Sequence, residues 1–402
     1  MSAMHHDGTL PHPRFDGDPR VPHQAGRPPL PVTRRSPAAR PPTATGRPRG
    51  TEPLTVADLR ARGIGRAEAA RRCRPGGPWQ MPFPGVHVPH SGPIDHPERL
   101  RAALRWAGGR PGEVLFGGLT ALELHDPEPL AGHAEHDPRS APPPPITLVV
   151  SHTRRLRAPA GVLLLRTRHL PRPVWIDGLP VVPVARAVAD AVAPGPGGAD
   201  GDPAAVRALM TAALIGGHCT ARELAREVER FPRDRRRGPA RALEESCAAA
   251  RAFAQDSLRE VVRAVVGAPP REDPSAAAGD APIAEPLWNV ELRAAGEAPA
   301  AVDAHWPGEG VALVLDTREC STGTALLPET SHTPRCSPLT EAEETAGYTR
   351  RREALERSGV TVVHLTPRGL REAPDLQAVV IRTALTDALD RPPGRYVTVL
   401  PR

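Results

Sequence analysis

The chain has 402 residues, 24% of them charged, and a formal net charge of +6, a size that suits two or three domains of ~100–200 residues each. It contains no run of about 18 apolar residues, which excludes an apolar membrane-spanning helix, and its first twenty residues, MSAMHHDGTLPHPRFDGDPR, lack the apolar core of a secretory leader. With 52 prolines and only 3% aromatics, it cannot be folded throughout, because proline withholds a backbone donor and much of the chain must be loop or linker.

Every basic residue is Arg and none is Lys, which reads as coding bias more than as bidentate recognition. Residues 1–50 hold eleven prolines, eight Arg and three Asp, so this segment has a net charge of +5 and reads as a disordered basic tail. Such a tail either adds electrostatic affinity for DNA or simply stays solvated. The remaining 352 residues sum to only +1, so any case for nucleic acid rests on local patches. The five cysteines, Cys73, Cys219, Cys247, Cys320 and Cys336, are far apart and form no CxxC pair. They read as reduced thiols of a cytoplasmic protein with no membrane partner.

From Leu54 the pattern becomes regular. The spacing predicts a helix over 56–62, a turn at Gly63 to Gly65, a second helix over 66–74, and a short hairpin ending in Gly85-Val86-His87-Val88. Helix, glycine turn, helix and hairpin is a winged helix-turn-helix layout, placed over 51–92. Arg66, Arg71, Arg72 and Arg74 crowd the second helix against a single Glu68, so they are candidate contacts for the phosphates of double-stranded DNA.

A middle α+β region follows over 93–245. It opens with an amphipathic helix over 97–106 and a segment from Val114 to His125 whose leucines recur at helical spacing. ITLVV and GVLLLRTRHL read as apolar strands, and GLPVVPVARAVADAV as a turn region leading into a helix near Val184. Helices over 204–215 and 220–230 complete it, with no nucleophile, metal cluster or phosphate loop. The arginines Arg233, Arg235, Arg236, Arg237 and Arg241 form a second basic cluster, read as a solvated linker or a further phosphate contact.

The last unit, over 246–391, is predicted to begin with a helix over 253–266. Strands around 288–292, 302–305 and 311–315 follow, then a long loop, a helix over 342–358, a strand over 360–365 and a helix over 375–389. That order makes an α/β sandwich, leaving residues 392–402 as a tail.

Three sets of segments carry a family resemblance: GIGRAEAARRC with WQMPFPGVHV; GLPVVPVARAVADAV; and PLWNVELRAAGEAPAAVDAHWPGEGVALVLDTREC with YTRRREALERSGVTVVHLTPRGL. In this order the chain resembles actinobacterial proteins that join an AbiEi-type antitoxin winged-helix region to a Vsr-like domain of the PD-(D/E)xK nuclease fold. The implied fold class is α+β multidomain: winged helix-turn-helix, AbiEi-like middle region, and C-terminal α/β restriction-endonuclease-like domain. The resemblance implies carboxylates that hold Mg²⁺ and activate water. It places them at Glu260 on the first helix, Asp303 on the second strand and Asp316 on the third, with Asp303 and Asp316 as the metal ligands. The partner expected two residues before Asp316 is Val314, which cannot ligate a hard cation. Glu319 and His305 are poor substitutes, so the site reads as decayed and Mg²⁺ is expected only if it still functions. Arg350, Arg351 and Arg352 on the following helix are further candidates for the DNA backbone, or an exposed helix face preceding Glu353 and Glu356.

Three functions stay open on these residues. The first is a DNA-binding transcriptional regulator of the AbiEi antitoxin type, acting as a homodimer beside a cognate toxin. The second is a Mg²⁺-dependent endonuclease of the PD-(D/E)xK type, and the third a non-catalytic interaction scaffold.

Overall fold

The computed structural model describes residues 52–125, 144–193, 202–267, 283–294, 299–322, 341–389 and 397–401, all within one compact unit. The expected tail over 1–50 lies outside them. The described residues form a mixed α/β fold with three sheets and 11 helices, and none of these helices is long and apolar enough to cross a membrane.

The chain starts with β1 (Leu54–Thr55), α1 (Val56–Ala61), α2 (Arg66–Arg72), β2 (Gln80–Phe83) and β3 (Val86–Val88). Thr55 caps α1 through a reciprocal box: its own N–H donates to Asp58 Oδ2 at 2.8 Å and its hydroxyl accepts from Asp58 N. The expected second helix stops two residues early, at Arg72. Pro75 disfavours helical backbone at Arg74, and Gly77 N–H closes a turn onto the Arg74 carbonyl at 2.7 Å. β3 lies between β1 and β2, and Leu54, Leu59, Ala69, Ile64 and Trp79 form a small core beside this sheet.

α3 (His96–Ala107) follows, capped by Asp95 Oδ1 accepting from Glu98 N at 2.7 Å. Val114 to Phe116 form strand β4, not the start of a helix, and α4 (Gly118–His125) begins after it. The change of backbone falls at Gly117 and Gly118. A Cβ on Gly117 would lie 2.3 Å from Val149 Cγ2, and Gly118 has a φ of 52°. Next come β5 (Ile146–Ser151), β6 (Val162–Thr167), β7 (Val174–Ile176) and β8 (Leu179–Val181). The second sheet runs β6-β5-β4-β8-β7, with β4 antiparallel to β5 and parallel to β8. Asp177 and Gly178, both at positive φ, close the β7–β8 hairpin. α5 (Val184–Val192), α6 (Pro203–Ile215) and α7 (Ala221–Glu229) cover this sheet, forming one core with it, α3, Phe83 and Val86.

α8 (Arg233–Val266) is one helix of 34 residues, so the arginines expected in a linker are helical. Its residues Ala240, Leu243, Cys247 and Ala250 belong to the first core, and Ala254, Leu258, Val261 and Val265 to a second. The change of core thus falls between Ala250 and Ala254, inside a continuous helix. The third sheet uses β9 (Leu287–Ala294), β10 (Ala300–Trp306) and β11 (Val311–Leu315). A 3₁₀ turn (Arg318–Cys320), α9 (Glu341–Arg357), β12 (Thr361–Leu365), α10 (Pro367–Glu372), α11 (Pro374–Leu389) and β13 (Val397–Pro401) complete the chain. The strand order is β12-β11-β10-β9-β13, with β11 parallel to β12 and the other pairs antiparallel. The expected C-terminal tail therefore supplies a strand, β13, whose alternation of Val397 and Val399 packs into the sheet. α8, α10 and α11 cover one face and α9 the other.

Gly117→Ala is expected to cost about 1–3 kcal/mol through overpacking, seen as a lower urea midpoint at unchanged slope. Gly347→Ala in α9, where an added Cβ meets nothing, is expected to gain ~0.5–1 kcal/mol. Equal midpoints would refute the close approach at Gly117.

Candidate functional site

The front of the molecule concentrates its charge on α2 and the turn after it. Residues 52–92 contain six Arg and three acidic residues. Glu68 accepts from Arg71 Nε at 2.8 Å and from Arg72 Nε at 2.7 Å, and these bonds, Arg72 first, hold its carboxyl below the usual range. The Arg72 guanidinium also lies 4.7 Å from the Trp79 ring centre, a cation–π contact. Trp79 in turn tilts against His87 at 6.4 Å between centroids, and His87 Nδ1 lies 3.4 Å from Cys73 Sγ. Burial lowers the His87 pKa and raises that of Cys73, so the two form a neutral contact and not a thiolate–imidazolium pair.

The four expected arginines therefore have different surroundings. Arg71 and Arg72 are tied to Glu68, and Arg72 also joins α2 to the segment that leads into the hairpin. Arg66, at the start of α2, and Arg74, in the turn beyond it, are exposed and carry no ion pair among the described residues. Arg60 and Arg62 are exposed on the other side of the glycine turn. Sequence reasoning left them out because it weighed only the second helix.

In the third sheet, Asp303 sits where strand alternation breaks. Val311, Leu313 and Leu315 of β11 enter the core beneath α8 and α11, and Ala312 enters the one beneath α9. On β10, however, Val302 packs on the α9 side and Ala304 on the opposite side, although they are two residues apart. β9 turns over at the same level, between Val290 and Trp288, which pair with Val302 and Ala304. Asn289 between them has a φ of 51°. At this level Asp303 Oδ2 accepts the Leu315 N–H at 2.7 Å, so a carboxylate takes the place of a ladder carbonyl.

Asp316 follows β11, and its N–H donates to the Leu365 carbonyl at 2.8 Å. Arg318 engages both of its carboxylate oxygens: Nε lies 2.8 Å from Oδ1, and Nη2 also binds Oδ2. That contact holds the Asp316 carboxyl below the usual carboxylate range. Val314 and His364 are paired across β11 and β12. His305 is buried and donates from Nδ1 to the Val311 carbonyl at 3.0 Å, and Glu319 lies in the 3₁₀ turn. Glu260 is exposed on α8 with no ion pair among the described residues.

The structure thus brings Asp303 and Asp316 to either side of Leu315 and leaves Glu260 apart. Among the described residues, no group of three or more His, Cys, Asp or Glu side chains is placed to hold a metal ion. Asp316 is taken up by Arg318, one Asp303 oxygen by a backbone donor, and Val314 offers no oxygen. The residues present do not fit a Mg²⁺ site, which needs several free oxygen donors. On α9, Arg350 is exposed, Arg352 Nε donates to Glu356 Oε1 at 2.7 Å, and the Arg351 side chain lies outside the described residues.

The middle region holds an ionic cluster that sequence reasoning missed. Arg186 Nε donates to Asp190 Oδ1 at 2.8 Å, and its Nη1 lies 3.6 Å from Glu227 Oε2. The signal was an Arg and an Asp four residues apart on an apolar helix. Asp190 is 8% exposed, and its Oδ2 has no hydrogen-bond partner. Desolvation outweighs the Arg186 contact and raises its pKa to about 6.

No protein-family model matches the chain, and no curated protein sequence matches it. Among solved structures, the chain is similar to the crystal structure of the RV2827C protein from Mycobacterium tuberculosis. The identity is 20% and the TM-score 0.33, over 50% of this chain and 71% of that one, a likeness too distant to assign fold or function.

Because the folded-state pKa of Asp190 lies above its value of 3.8 in the unfolded chain, the folded state holds the proton longer. Stability from this group is complete below pH ~4 and lost as pH rises through about 6, on the order of 3 kcal/mol. Urea midpoints across pH 4–7 are expected to show this fall, and Asp190→Asn to remove it. The same slope in the variant would assign the effect to another group.

Proposed function

We propose that this chain is a DNA-binding transcriptional regulator of the AbiEi antitoxin type, with a winged helix-turn-helix at its front and a C-terminal nuclease-like domain that does no metal chemistry. In this reading it works in the cytoplasm, binds double-stranded DNA as a homodimer and pairs with a cognate toxin. The observation that carries it is the fixing of α2. Trp79 holds Arg72, and through it the helix, beside the segment that leads into the hairpin, and Glu68 orients the same guanidinium from within the helix, while Arg60, Arg62, Arg66 and Arg74 stay exposed. A braced helix with outward cations can enter a groove without first reordering its side chains.

Fluorescence anisotropy with the DNA upstream of the gene tests this reading. Binding is expected to weaken steeply between 50 and 200 mM salt, and Arg66→Ala/Arg74→Ala to weaken it further and reduce the log–log salt slope by about 2. Arg71→Ala, whose guanidinium is occupied by Glu68, is expected to matter less. A flat salt response, or affinity unchanged in the double variant, would overturn the proposal.

The endonuclease reading has less support, since the carboxylates it needs are occupied by Arg318 and by a backbone donor. Supercoiled plasmid incubated with the protein and Mg²⁺ or Mn²⁺ is expected to stay intact. Nicking that Asp303→Ala abolishes would restore that reading.

A further inference from the structure

One helix face remains unexplained. α11 buries Ile381, Leu385 and Ala388 in the second core, while its opposite side exposes Leu376 (59%), Val379 (57%) and Val380 (41%). With Thr383, also exposed, these residues follow the i, i+3, i+4, i+7 spacing of one continuous stripe. Isolated apolar residues on a surface are ordinary, but a stripe along a helix marks a docking face.

Three charged residues lie along the stripe: Asp375 and Arg382 on one flank, and Asp387, exposed one turn past Thr383. Asp375 and Arg382 are seven residues apart, so they lie on the same flank of the helix two turns from each other. Neither has an ion pair among the described residues. They lie on either side of the midpoint of the stripe, and this arrangement selects the occupant. In an antiparallel pair of identical helices related by a two-fold axis at that midpoint, Val379 faces Val380 of the second copy, and Leu376 faces its Thr383. The same axis brings Asp375 beside Arg382 of the second copy, and the reverse. A partner with one sign of charge along this flank would oppose Asp375 or Arg382 with a like charge. A second copy satisfies both.

We propose that α11 is the self-association surface of this protein, forming an isologous antiparallel helix pair through Leu376, Val379, Val380 and Thr383, with two reciprocal Asp375–Arg382 ion pairs. A 16-residue helix is ~24 Å long, and one such pair covers less than the ~1,600 Å² of a standard interface. An interface of that size belongs with weak, transient associations. The pairing does not depend on DNA binding and is measured without DNA.

Sedimentation velocity of the full chain from 1 to 200 µM tests it. A monomer–dimer equilibrium is expected, and Val379→Glu, at an exposed position that should leave folding intact, should raise the dissociation constant at least tenfold. Asp375→Arg and Arg382→Asp should each raise it about threefold, and the double exchange Asp375→Arg/Arg382→Asp should restore it. A monomer throughout the range would overturn the proposal and leave the stripe to a different protein. A dimer unaffected by Val379→Glu, or one that the double exchange fails to rescue, would also overturn it.

Discussion

The fold depends on a helix that is shared by two cores. α8 enters the middle sheet's core through Leu243 and Cys247 and leaves it for the C-terminal core at Ala254 and Leu258. The middle and C-terminal sheets consequently rest on one continuous backbone. Polar contacts reinforce the first half: Ser246 Oγ donates to the Arg207 carbonyl at 3.2 Å, and Thr211 Oγ1 donates to Ser246. Past the crossing, Arg371 of α10 reaches back to the Ile215 carbonyl at the end of α6, at 2.9 Å. Proline in the second turn should disturb such a helix. Gly238 precedes Pro239, so the Cβ that would clash with the proline ring is missing.

Local signals made much of the secondary structure legible. The glycine turn before Arg66 and the apolar run of β5 each act over a few residues, and the structure follows them. Elements whose identity depends on distant partners were not legible. Val114 to Phe116 match a helical spacing, and only their pairing with Leu148 to Val150 makes them a strand. β13 resembles a tail until β9 offers it an edge. The arginines near Arg233 look like a solvated linker because the apolar face that keeps them helical begins only at Pro239 and Ala240.

The orientation of the residues in the third sheet was not legible. The family resemblance singled out Asp303, Asp316 and Val314, and β10 and β11 place Asp303 and Asp316 beside Leu315. Strand alternation then misleads, because Asn289 takes a left-handed backbone and both β9 and β10 turn over at Asp303. Asparagine tolerates that conformation better than most residues, but its presence alone does not announce the inversion. On α2 the reverse occurred. The arginines were counted correctly as charge, but which of them pair with Glu68 depends on helical spacing combined with the position of Trp79, a residue outside the helix.

What Asp303 and Asp316 do without a metal follows from the cost of leaving carboxylates unsatisfied. Asp303 is partly buried at a level where both adjacent ladders are interrupted, and the Leu315 N–H there needs an acceptor. The carboxylate supplies it, a charge-assisted bond stronger than the carbonyl bond it replaces. Asp316, one residue past the end of β11, is neutralised by Arg318 within the same turn. Val314 meanwhile packs beside Val362 in the α9-side core, where a carboxylate would have to be desolvated without a cation. Valine at 314 thus packs half-buried against the α9-side core and offers no oxygen, while Arg318 neutralises Asp316. Val314→Glu would place a charge at a half-buried position while Arg318 still occupied Asp316, so it would cost stability without assembling a metal site.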